Sequence, residues 1–439
     1  MSPDGFFSLV ERLFAELTGG EVLLCNLDGE DSDFARLNRN RIRQAGGLRR
    51  HGLGLTLIAG RRQVESGCDL SGDPEADRGI ARELIARMRE RIAHVPEDPY
   101  LDYSTTPSES DHRVGEGLPP AAEAVADLIA AAEGLDLVGI WASGEIHRGF
   151  ASSLGHRHWH SSSSFNLDWS CYLRQDKALK DGYGGFVWEP ERLRGKLEAL
   201  RRGLEIMSHP ARTLQPGRVR AYLAPAAVEE LMELLAWGGF GLKDHRTSQT
   251  PLLRLVRGER CLAPSIAIVE EHARGLAPGF TPEGFAKPAA VTLIECGAYR
   301  DCLVDSRSGK EYGSAVNAAS ECPESLALGP GDIPAADALD RLGTGLYVGN
   351  LWYLNYADRN DCRITGMTRF GTFWVEKGEP VAPVEVMRFD DSLYHLLGDR
   401  LEGLTKEREL ILSASSYGGR STASSLLPGI LIGGIDLAL

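Results

Sequence analysis

Three histidines lie close together in the middle of the chain, at His156, His158 and His160. On an extended strand these side chains project from one face, with alternate residues about 6.6–7 Å apart. Two such imidazoles can share one zinc ion with a third ligand from elsewhere in the fold. The same face continues with Ser162 and Ser164, which favours a polar, solvent-facing strand. Both interpretations stay open, and the solvated strand is preferred over the metal site.

A basic segment near the N-terminus is the second candidate site. No acidic residue lies between Asp33 and Glu65, although the whole chain has a formal net charge of −14. The arginines of this segment are Arg36, Arg39, Arg41, Arg43, Arg49, Arg50, Arg61 and Arg62. A nucleic-acid surface would need aromatic residues for base stacking, and none is interleaved here. We therefore expect a solvated strand face or a contact with another protein.

Common motifs of nucleotide and hydrolase chemistry are absent from the sequence. Gly195-Lys196 and Gly309-Lys310 are followed by Leu and Glu, where a phosphate-binding loop needs Ser or Thr. Neither G-x-S-x-G nor H-E-x-x-H occurs. The residues alone therefore point to no catalytic and no cofactor-binding side chain.

Length and composition limit the class of protein. With 439 residues, 43% of them hydrophobic and 25% charged, the chain is long enough for two or three globular domains. Its eight cysteines show no C-x-x-C spacing, which indicates free thiols in a reducing compartment. The first residues lack the basic region of a secretory signal, and no uncharged stretch reaches the ~20 apolar residues of a membrane span. We expect a cytoplasmic protein without a membrane segment.

Hydrophobic patterns predict both helices and strands. The predicted helices are Phe6–Leu17, Asp73–His94, Pro120–Glu133, Pro190–Met207 and Pro225–Trp237. The predicted strands are Glu21–Cys25, Leu53–Ala59, Leu137–Trp141, Ile146–Ser153, His156–Leu173, Ser265–Glu270, Val291–Glu295, Gly345–Leu354, Gly371–Glu376 and Leu410–Ser413. Phe34–Gln44 has the composition of a hydrophilic extended segment. Pro, Asp, Ser and Gly concentrate at 95–120, which predicts a loop or linker.

Together these elements predict an α+β protein with two main units. Residues 1–207 are expected to form an N-terminal α/β region with antiparallel strands, with a candidate subdivision at 95–120. Residues 208–439 are expected to form a mostly β C-terminal domain, because short strands there alternate with Gly and Pro turns.

Several segments, taken in order, resemble the TldD/PmbA family, whose members are also described as modulators of DNA gyrase and as metallopeptidases. They are Phe34–Gln44, Gly52–Ile58, Pro96–Tyr100, Val291–Gly297, Gly345–Leu351 and Gly371–Val384. The last segment is the most specific, because it is similar to the family's hairpin, with Lys377-Gly378 at the tip and prolines beyond it. The resemblance extends nearly from end to end and is weakest in the middle third.

The resemblance implies a zinc site in one of the family's two subunit types. The TldD-like type holds zinc on a helix bearing H-E-x-x-x-H and on a cysteine near the C-terminus. Here the corresponding helix, Val228–Gly241, contains no histidine, and His245 follows it alone. Arg420–Pro428 contains no cysteine, and the last one in the chain is Cys362. The chain therefore resembles the PmbA/TldE-like subunit, for which we predict no catalytic, cofactor-binding or metal-ligating residue.

Three functions follow from these observations. In the first, the chain pairs with a TldD-like subunit, where zinc is expected, in a peptidase that acts on unfolded peptides. In the second, it is a non-catalytic homodimer that binds a peptide or protein as a regulator of the gyrase-modulator type. In the third, His156, His158 and His160 form a divergent metal site and make the chain a metallopeptidase. Neither a membrane nor nucleic acid is an expected partner.

Overall fold

The computed structural model describes residues 1–115, 117–174, 177–416 and 418–438. Its strands form one sheet in the N-terminal half and another in the C-terminal half, and helices accompany both. The predicted α+β class is therefore confirmed. Within the described ranges, none of the helices combines the length and the apolar composition needed to cross a bilayer.

The N-terminal sheet contains seven strands within the described residues. They are β1 (Glu21–Asn38), β2 (Arg41–Ala59), β3 (Arg62–Asp69), β4 (Glu109–Val114), β5 (Asp136–Ser152), β6 (Arg157–Arg174) and β7 (Lys177–Gly185). Their order is β3-β2-β1-β5-β6-β4, with β7 also paired to β6. The accompanying helices are α1 (Pro3–Phe14), α2 (Pro74–Ile92), α3 (Ala121–Ala131) and α4 (Pro190–Met207).

The two faces of this sheet bury different kinds of side chain. Alternate residues of a strand point to opposite faces, and the odd-numbered apolar residues of β1 and β6, such as Leu23 and Trp169, pack under the helices. Helices α1 and α2 cover one end of this apolar face, and α3 and α4 cover the other. The even-numbered residues of β6, such as His158 and Ser162, form a polar face that is also buried.

The C-terminal sheet contains eleven strands within the described residues. They are β8 (Gly217–Leu223), β9 (Ile268–Glu270), β10 (Val291–Glu295), β11 (Ala298–Tyr299), β12 (Ser325–Leu328), β13 (Gly345–Asp358), β14 (Arg363–Glu376), β15 (Glu379–Pro383), β16 (Arg388–Ser392), β17 (Leu401–Leu412) and β18 (Ser424–Leu437). The strands β18, β16, β14, β13 and β8 are consecutive neighbours, and β18 also pairs with β8, so they close into a ring.

Short helices and turns connect the strands of the C-terminal half. They are α5 (Pro225–Ala236), α6 (Leu242–Arg246), α7 (Leu253–Val256), α8 (Ser306–Tyr312), α9 (Ala338–Leu342), a 3₁₀ turn at Ala335–Asp337 and a π-helical turn at His395–Asp399. Helix α5 is central, because Leu231 and Leu235 are fully buried in the core that the ring encloses. Its helical period then places Glu229, Glu230 and Glu233 on the opposite side.

The predicted helices are all present, and the prediction for α4 is correct at both ends. Pro190 and Pro225 each begin a helix, as expected for a residue that lacks the N–H group. The hairpin between β14 and β15 is also confirmed, because Lys377 and Gly378 form its turn with φ values of 53° and 85°. These features depend on short stretches of sequence.

The N-terminal strands are longer than predicted. Glu21–Cys25 is only the beginning of β1, and Leu137–Trp141 and Ile146–Ser153 belong to the single strand β5. Phe34–Gln44 is not a separate segment, because it contains the end of β1, a turn and the start of β2. Polar residues and glycines inside these strands conceal their continuity, since a strand held by neighbours on both sides tolerates residues of low β-propensity.

The segment 95–120 contains a strand that its composition does not predict. Strand β4 pairs with β6 in parallel, and the strands before and after this segment belong to one sheet. The predicted loop includes Glu116, which lies outside the described residues. The division between residues 207 and 208 falls between α4 and β8 and stays a prediction, and Leu439, the end of the second unit, also lies outside the described residues.

We expect Leu231→Ala to destabilise the protein by about 2–5 kcal/mol, because it leaves a cavity between α5 and the ring of strands. Urea unfolding followed by circular dichroism measures the change. Ile80→Ala on α2 is the control, since Ile80 is 43% exposed, and it should cost less than about 0.5 kcal/mol. Equal losses in the two variants would contradict the packing of α5.

Candidate functional site

The polar face of the N-terminal sheet is buried against the C-terminal half. His156, His158 and His160 are 1%, 2% and 1% exposed, and Ser162 and Ser164 are fully buried. The prediction of a solvent-facing strand for this row is therefore wrong. The alternation of polar residues cannot distinguish the two cases, because a polar face that is paired with another polar surface has the same pattern as one covered by water.

Serine hydroxyls bind two of the three imidazoles. The two ring nitrogens of His158 lie 2.8 and 2.9 Å from the Oγ atoms of Ser110 and Ser108, and the ring stacks on Phe280 at 5.1 Å. Two other serines bind His156 in the same way, at 2.7 and 2.9 Å. The loop and strand that precede α3 therefore close over the histidine row.

The third imidazole binds the C-terminal half directly. Nε2 of His160 donates to the carbonyl oxygen of Leu276 at 2.8 Å, and its ring stacks on His112 at 5.4 Å. Burial lowers the pKa of both His158 and His160 to about 4. Both rings are therefore neutral near pH 7, which is the form that can be buried without a counter-charge.

This geometry gives no support to a metal site at His156, His158 and His160. The ring nitrogens face serine hydroxyls, a carbonyl oxygen and His112. In the part of the chain that the structure describes, no group of three His, Cys, Asp or Glu side chains is arranged to hold a metal ion.

One arginine from the C-terminal segment is inserted into the polar face. Arg420 is 8% exposed, and its guanidinium donates to the hydroxyls of Ser32 and Ser164 at 3.3 and 2.7 Å. It also donates to the carbonyl oxygens of Gly144 and Ser164 at 3.1 and 2.9 Å. Burial lowers the pKa of Arg420 to about 10, although Glu30 opposes the shift. A charged group is thus bound inside the interface between the two halves.

Beside this interface, a cavity of about 170 Å³ lies between the two halves. Strands β6 and β7 line one side, and α5, β13 and β17 contribute to the other. Its charged lining residues are Asp168, Lys180, Asp181, Glu229, Glu230, Glu233 and Glu409. Acidic groups outnumber basic ones, so the cavity attracts cations.

Helix α5 supplies three of these carboxyl groups. Burial raises the pKa of Glu229 to about 8, and repulsion from Glu233 and Glu230 adds to the shift. Burial also raises the pKa of Glu230, repulsion from Glu233 adds to that shift, and the positive charge of Lys180 partly offsets it. Glu229 and Glu230 are half-buried, whereas Glu233 is exposed. Near neutral pH the Glu229 carboxyl group therefore keeps its proton in the folded protein.

A lysine joins the two walls of the cavity. Nζ of Lys196 lies 2.9 Å from Oδ1 of Asp181 on β7 and 2.6 Å from Oε1 of Glu409 on β17. Burial lowers the pKa of Lys196, but the two carboxylates outweigh this effect and raise it overall. The ammonium group thus remains charged and connects the N-terminal sheet to the C-terminal sheet.

This cavity can bind a cationic group and exchange a proton near neutral pH. A carboxyl group whose pKa lies near the ambient pH is suited to proton transfer, and a partly dry site strengthens its attraction for an ammonium or guanidinium group. Among the described lining residues there is no histidine and no cysteine. Carboxyl, ammonium, amide and hydroxyl groups are the polar side-chain functions that line the cavity.

A family model described as the PmbA/TldA metallopeptidase C-terminal domain matches residues 216–439, just over half of the chain. The chain belongs to the PmbA/TldD family. The resemblance inferred from the sequence is thereby confirmed. None of the curated protein sequences compared with it gives a significant match.

Solved structures of similar fold cover nearly the whole chain. TldE from Thermococcus kodakarensis superposes with a TM-score of 0.78 at 16% identity, covering 99% of this chain and 100% of its own. A proposed modulator of a DNA gyrase from Thermotoga maritima gives 0.76 at 15% identity, with 99% and 100% covered. Another from Bacteroides thetaiotaomicron gives 0.77 at 15% identity, with 99% of both chains covered. At these identities the likeness shows a shared fold.

In this PmbA/TldD-family chain, the sequence patterns singled out neither the α5 carboxyl groups nor Lys196 with its partners Asp181 and Glu409. The predicted helix Val228–Gly241 drew attention only for its lack of histidine. Glu229, Glu230 and Glu233 follow the helical period opposite the apolar positions, and this signal was available. His245 lies in α6, where Nε2 donates to the carbonyl oxygen of Gly239 at 2.8 Å, and it does not line the cavity.

We expect Glu229→Gln to stabilise the protein at pH 8.5 and to have little effect at pH 4.5. The folded protein retains this proton up to about pH 8, whereas an unfolded chain releases it near pH 4.3. The folded state therefore binds more protons between these values, and Glu229 makes stability fall as the pH rises. The substitution removes this loss, and for a chain of 439 residues each gain of about 1 kcal/mol raises the melting temperature by about 1 °C.

Thermal unfolding at the two pH values measures this effect. Glu198→Gln, at an exposed position on α4, is the matched control and should shift the melting temperature equally at both pH values. The same pH-independent behaviour in Glu229→Gln would show that Glu229 does not lie in the environment described.

We expect Arg420→Met to destabilise the protein by about 3–5 kcal/mol, because Glu30 would lose the buried positive charge that attracts it and the oxygens that accept from the guanidinium would be left unpaired. Urea unfolding measures this loss. Arg218→Met, which removes an exposed ion pair with Asp436, should cost at most about 1 kcal/mol. Similar losses in the two variants would contradict the burial of Arg420.

Proposed function

We propose that this chain is the non-catalytic, PmbA/TldE-like subunit of a two-subunit peptidase. It pairs with a TldD-like subunit that carries the zinc, and together they enclose a chamber that admits unfolded peptides and excludes folded proteins. The H-E-x-x-x-H helix of that partner would hold the zinc, which would supply Lewis-acid activation of the scissile carbonyl group and of a water molecule. This chain contributes peptide-binding surface and closes the chamber.

The residues of α5 carry this proposal. The family resemblance locates the zinc motif of the TldD-like type on this helix, and here the helix presents Glu229, Glu230 and Glu233 to the cavity without a histidine. Zinc prefers nitrogen and sulfur ligands, so three carboxyl groups are a poor substitute. In the C-terminal segment, where the cysteine ligand is expected, Arg420 binds the N-terminal sheet instead.

The size and charge of the cavity support unfolded peptides as the substrate class. A space of about 170 Å³ accepts side chains or a short extended segment and excludes a folded domain. An extended peptide can add to a sheet edge through its backbone, a mode of binding that tolerates varied side chains. The acidic lining favours peptides that carry Lys, Arg or a free amino terminus near the bound segment.

We also propose that the protein functions in the cytoplasm. All eight cysteines, which lie within the described residues, are free thiols. Cys261, Cys296 and Cys322 are exposed, and exposed free thiols suit a reducing compartment.

A second candidate function is a non-catalytic homodimer that binds a protein or peptide as a regulator. Two proteins of similar fold are named as proposed modulators of DNA gyrase, and this observation favours it. The third candidate, a metallopeptidase with a divergent site at His156, His158 and His160, has no ligand geometry in its favour.

Co-expression with a TldD-like subunit tests the main proposal. We expect the two chains to co-purify, the pair to bind zinc and to cleave casein, and this chain alone to do neither. The control is the same pair with the first histidine of the partner's H-E-x-x-x-H motif replaced by alanine, which should lose zinc and activity together.

Two outcomes would contradict it. A single purified chain that binds zinc and cleaves casein, with both properties lost in His158→Ala, would establish the divergent metal site. A stable homodimer that does not bind a TldD-like subunit would favour the regulator instead.

A further inference from the structure

One edge of the N-terminal sheet is open along the basic segment. Strand β3 pairs with β2 only from Gly52 to Ala59, and the carbonyl oxygen of His51 accepts from the backbone N–H of Leu70 at 2.7 Å. Among the described residues, Arg41–Arg50 has β1 as its only neighbour in the sheet. All of its residues are exposed. A long strand therefore presents unpaired backbone groups to its surroundings.

Only some of the arginines at the open edge form ion pairs within the described residues. Arg49 pairs with Asp31 at 2.9 Å and Arg50 pairs with Asp69 at 3.1 Å. Around the turn between β1 and β2, no ion pair occurs within the described residues for Arg36, Arg39, Arg41 and Arg43, all of which are exposed. The remainder of the chain is strongly acidic, so this charge is concentrated in one place.

Hydrogen bonds at the turn and pairing with β1 hold this edge in place. The turn at Arg39 and Asn40 has φ values of 52° and 54°, as the favoured hairpin turn requires. The Asn40 side chain donates to the carbonyl oxygen of Ile129 at 2.9 Å, and its backbone N–H donates to that of Leu137 at 2.9 Å. Strand β1 is held on its other side by β5. A partner strand would therefore lose little of its binding energy to ordering this edge.

Apolar contacts are also available along the open edge. Ile42 is 51% exposed and Leu48 is 37% exposed. Gly46 and Gly47 lie between them, and the absence of side chains there lets another backbone approach closely. The segment thus offers backbone hydrogen bonds, apolar contact and positive charge together.

Two other occupants fit these features less well. A second copy of this strand, paired antiparallel about a two-fold axis, would bring the arginines near Arg41 opposite those near Arg50, and like charges facing each other are destabilising. Nucleic acid would meet positive charge but no aromatic residue for stacking between Arg36 and Arg62.

We propose that Arg41–Arg50 is a docking edge for an extended acidic segment of another polypeptide chain, which adds to the N-terminal sheet as a further strand. The unpaired arginines attract its carboxylates, and backbone hydrogen bonds fix its register. This interaction does not depend on peptidase activity, so it can hold whichever of the functions above is correct.

A labelled peptide tests this proposal with the full chain. The probe is a fluorescein-labelled peptide of alternating Glu and Val, about ten residues long, and fluorescence anisotropy measures its binding at low salt. We expect saturable binding that weakens as salt is added. The same peptide with Lys in place of Glu should not bind.

Two substitutions separate the charge from the backbone contribution. Arg41→Glu should weaken binding by about tenfold or more, whereas Arg61→Glu, the same change in the turn after β2, should have little effect. Since the carbonyl group of His51 points outward, alternation directs the N–H group of Gly47 to the open edge. Gly47→Pro should therefore weaken binding while the melting temperature changes by no more than a few degrees.

Several results would contradict the docking-edge proposal. The proposal is wrong if the Glu peptide does not bind, or if Arg41→Glu and Arg61→Glu bind it equally well. It is also wrong if a DNA duplex competes the peptide away at lower concentration than unlabelled peptide does, which would indicate a nucleic-acid surface. Self-association in sedimentation that Gly47→Pro abolishes would assign the edge to a second copy of the chain.

Discussion

A polar sheet face can be buried only if nearly every group on it finds a hydrogen-bond partner, and the architecture of this protein depends on meeting that condition. Each unpaired buried polar group costs about 1–3 kcal/mol. The N-terminal sheet turns His158 and His160 away from its helices and toward the C-terminal half. Serine hydroxyls and the carbonyl oxygen of Leu276 satisfy these rings, and Arg420 satisfies the oxygens further along. The two halves are therefore joined by specific polar contacts and not only by apolar packing.

The cavity forms where this pairing stops. Along β6 the side chains change from buried histidines and serines to Asp168, which borders an open space. Helix α5 faces the same space with carboxyl groups, because its apolar side is committed to the ring of strands. Burial raises the pKa of Glu229, and repulsion among the acidic groups that share this small space adds to the shift. The electrostatic character of the cavity thus follows from the packing on either side of it.

Three different surroundings act on one sheet. Helices cover its apolar face, the C-terminal half covers its polar face, and its β2 edge lies open beside Arg41 and Arg43. Large apolar side chains lie under the helices, and neutral polar side chains lie against other polar groups. Charged side chains lie where the edge is exposed. The same α+β fold, which is shared with TldE, therefore carries an acidic cavity and a basic edge in this chain.

Features that depend on neighbouring residues could be predicted from the sequence alone. The helices, the turn at Lys377-Gly378 and the family resemblance all follow from short-range patterns, because helical period, first-turn prolines and turn conformation involve contacts within a few residues. The lengths of β1 and β5, the strand β4, the burial of His158 and the existence of the cavity could not be predicted in this way. Each depends on pairing between segments far apart in the chain, as between Arg420 and Ser164. The sequence shows that a polar side chain needs a hydrogen-bond partner. Only the folded structure determines whether that partner is water, a distant serine or a ligand.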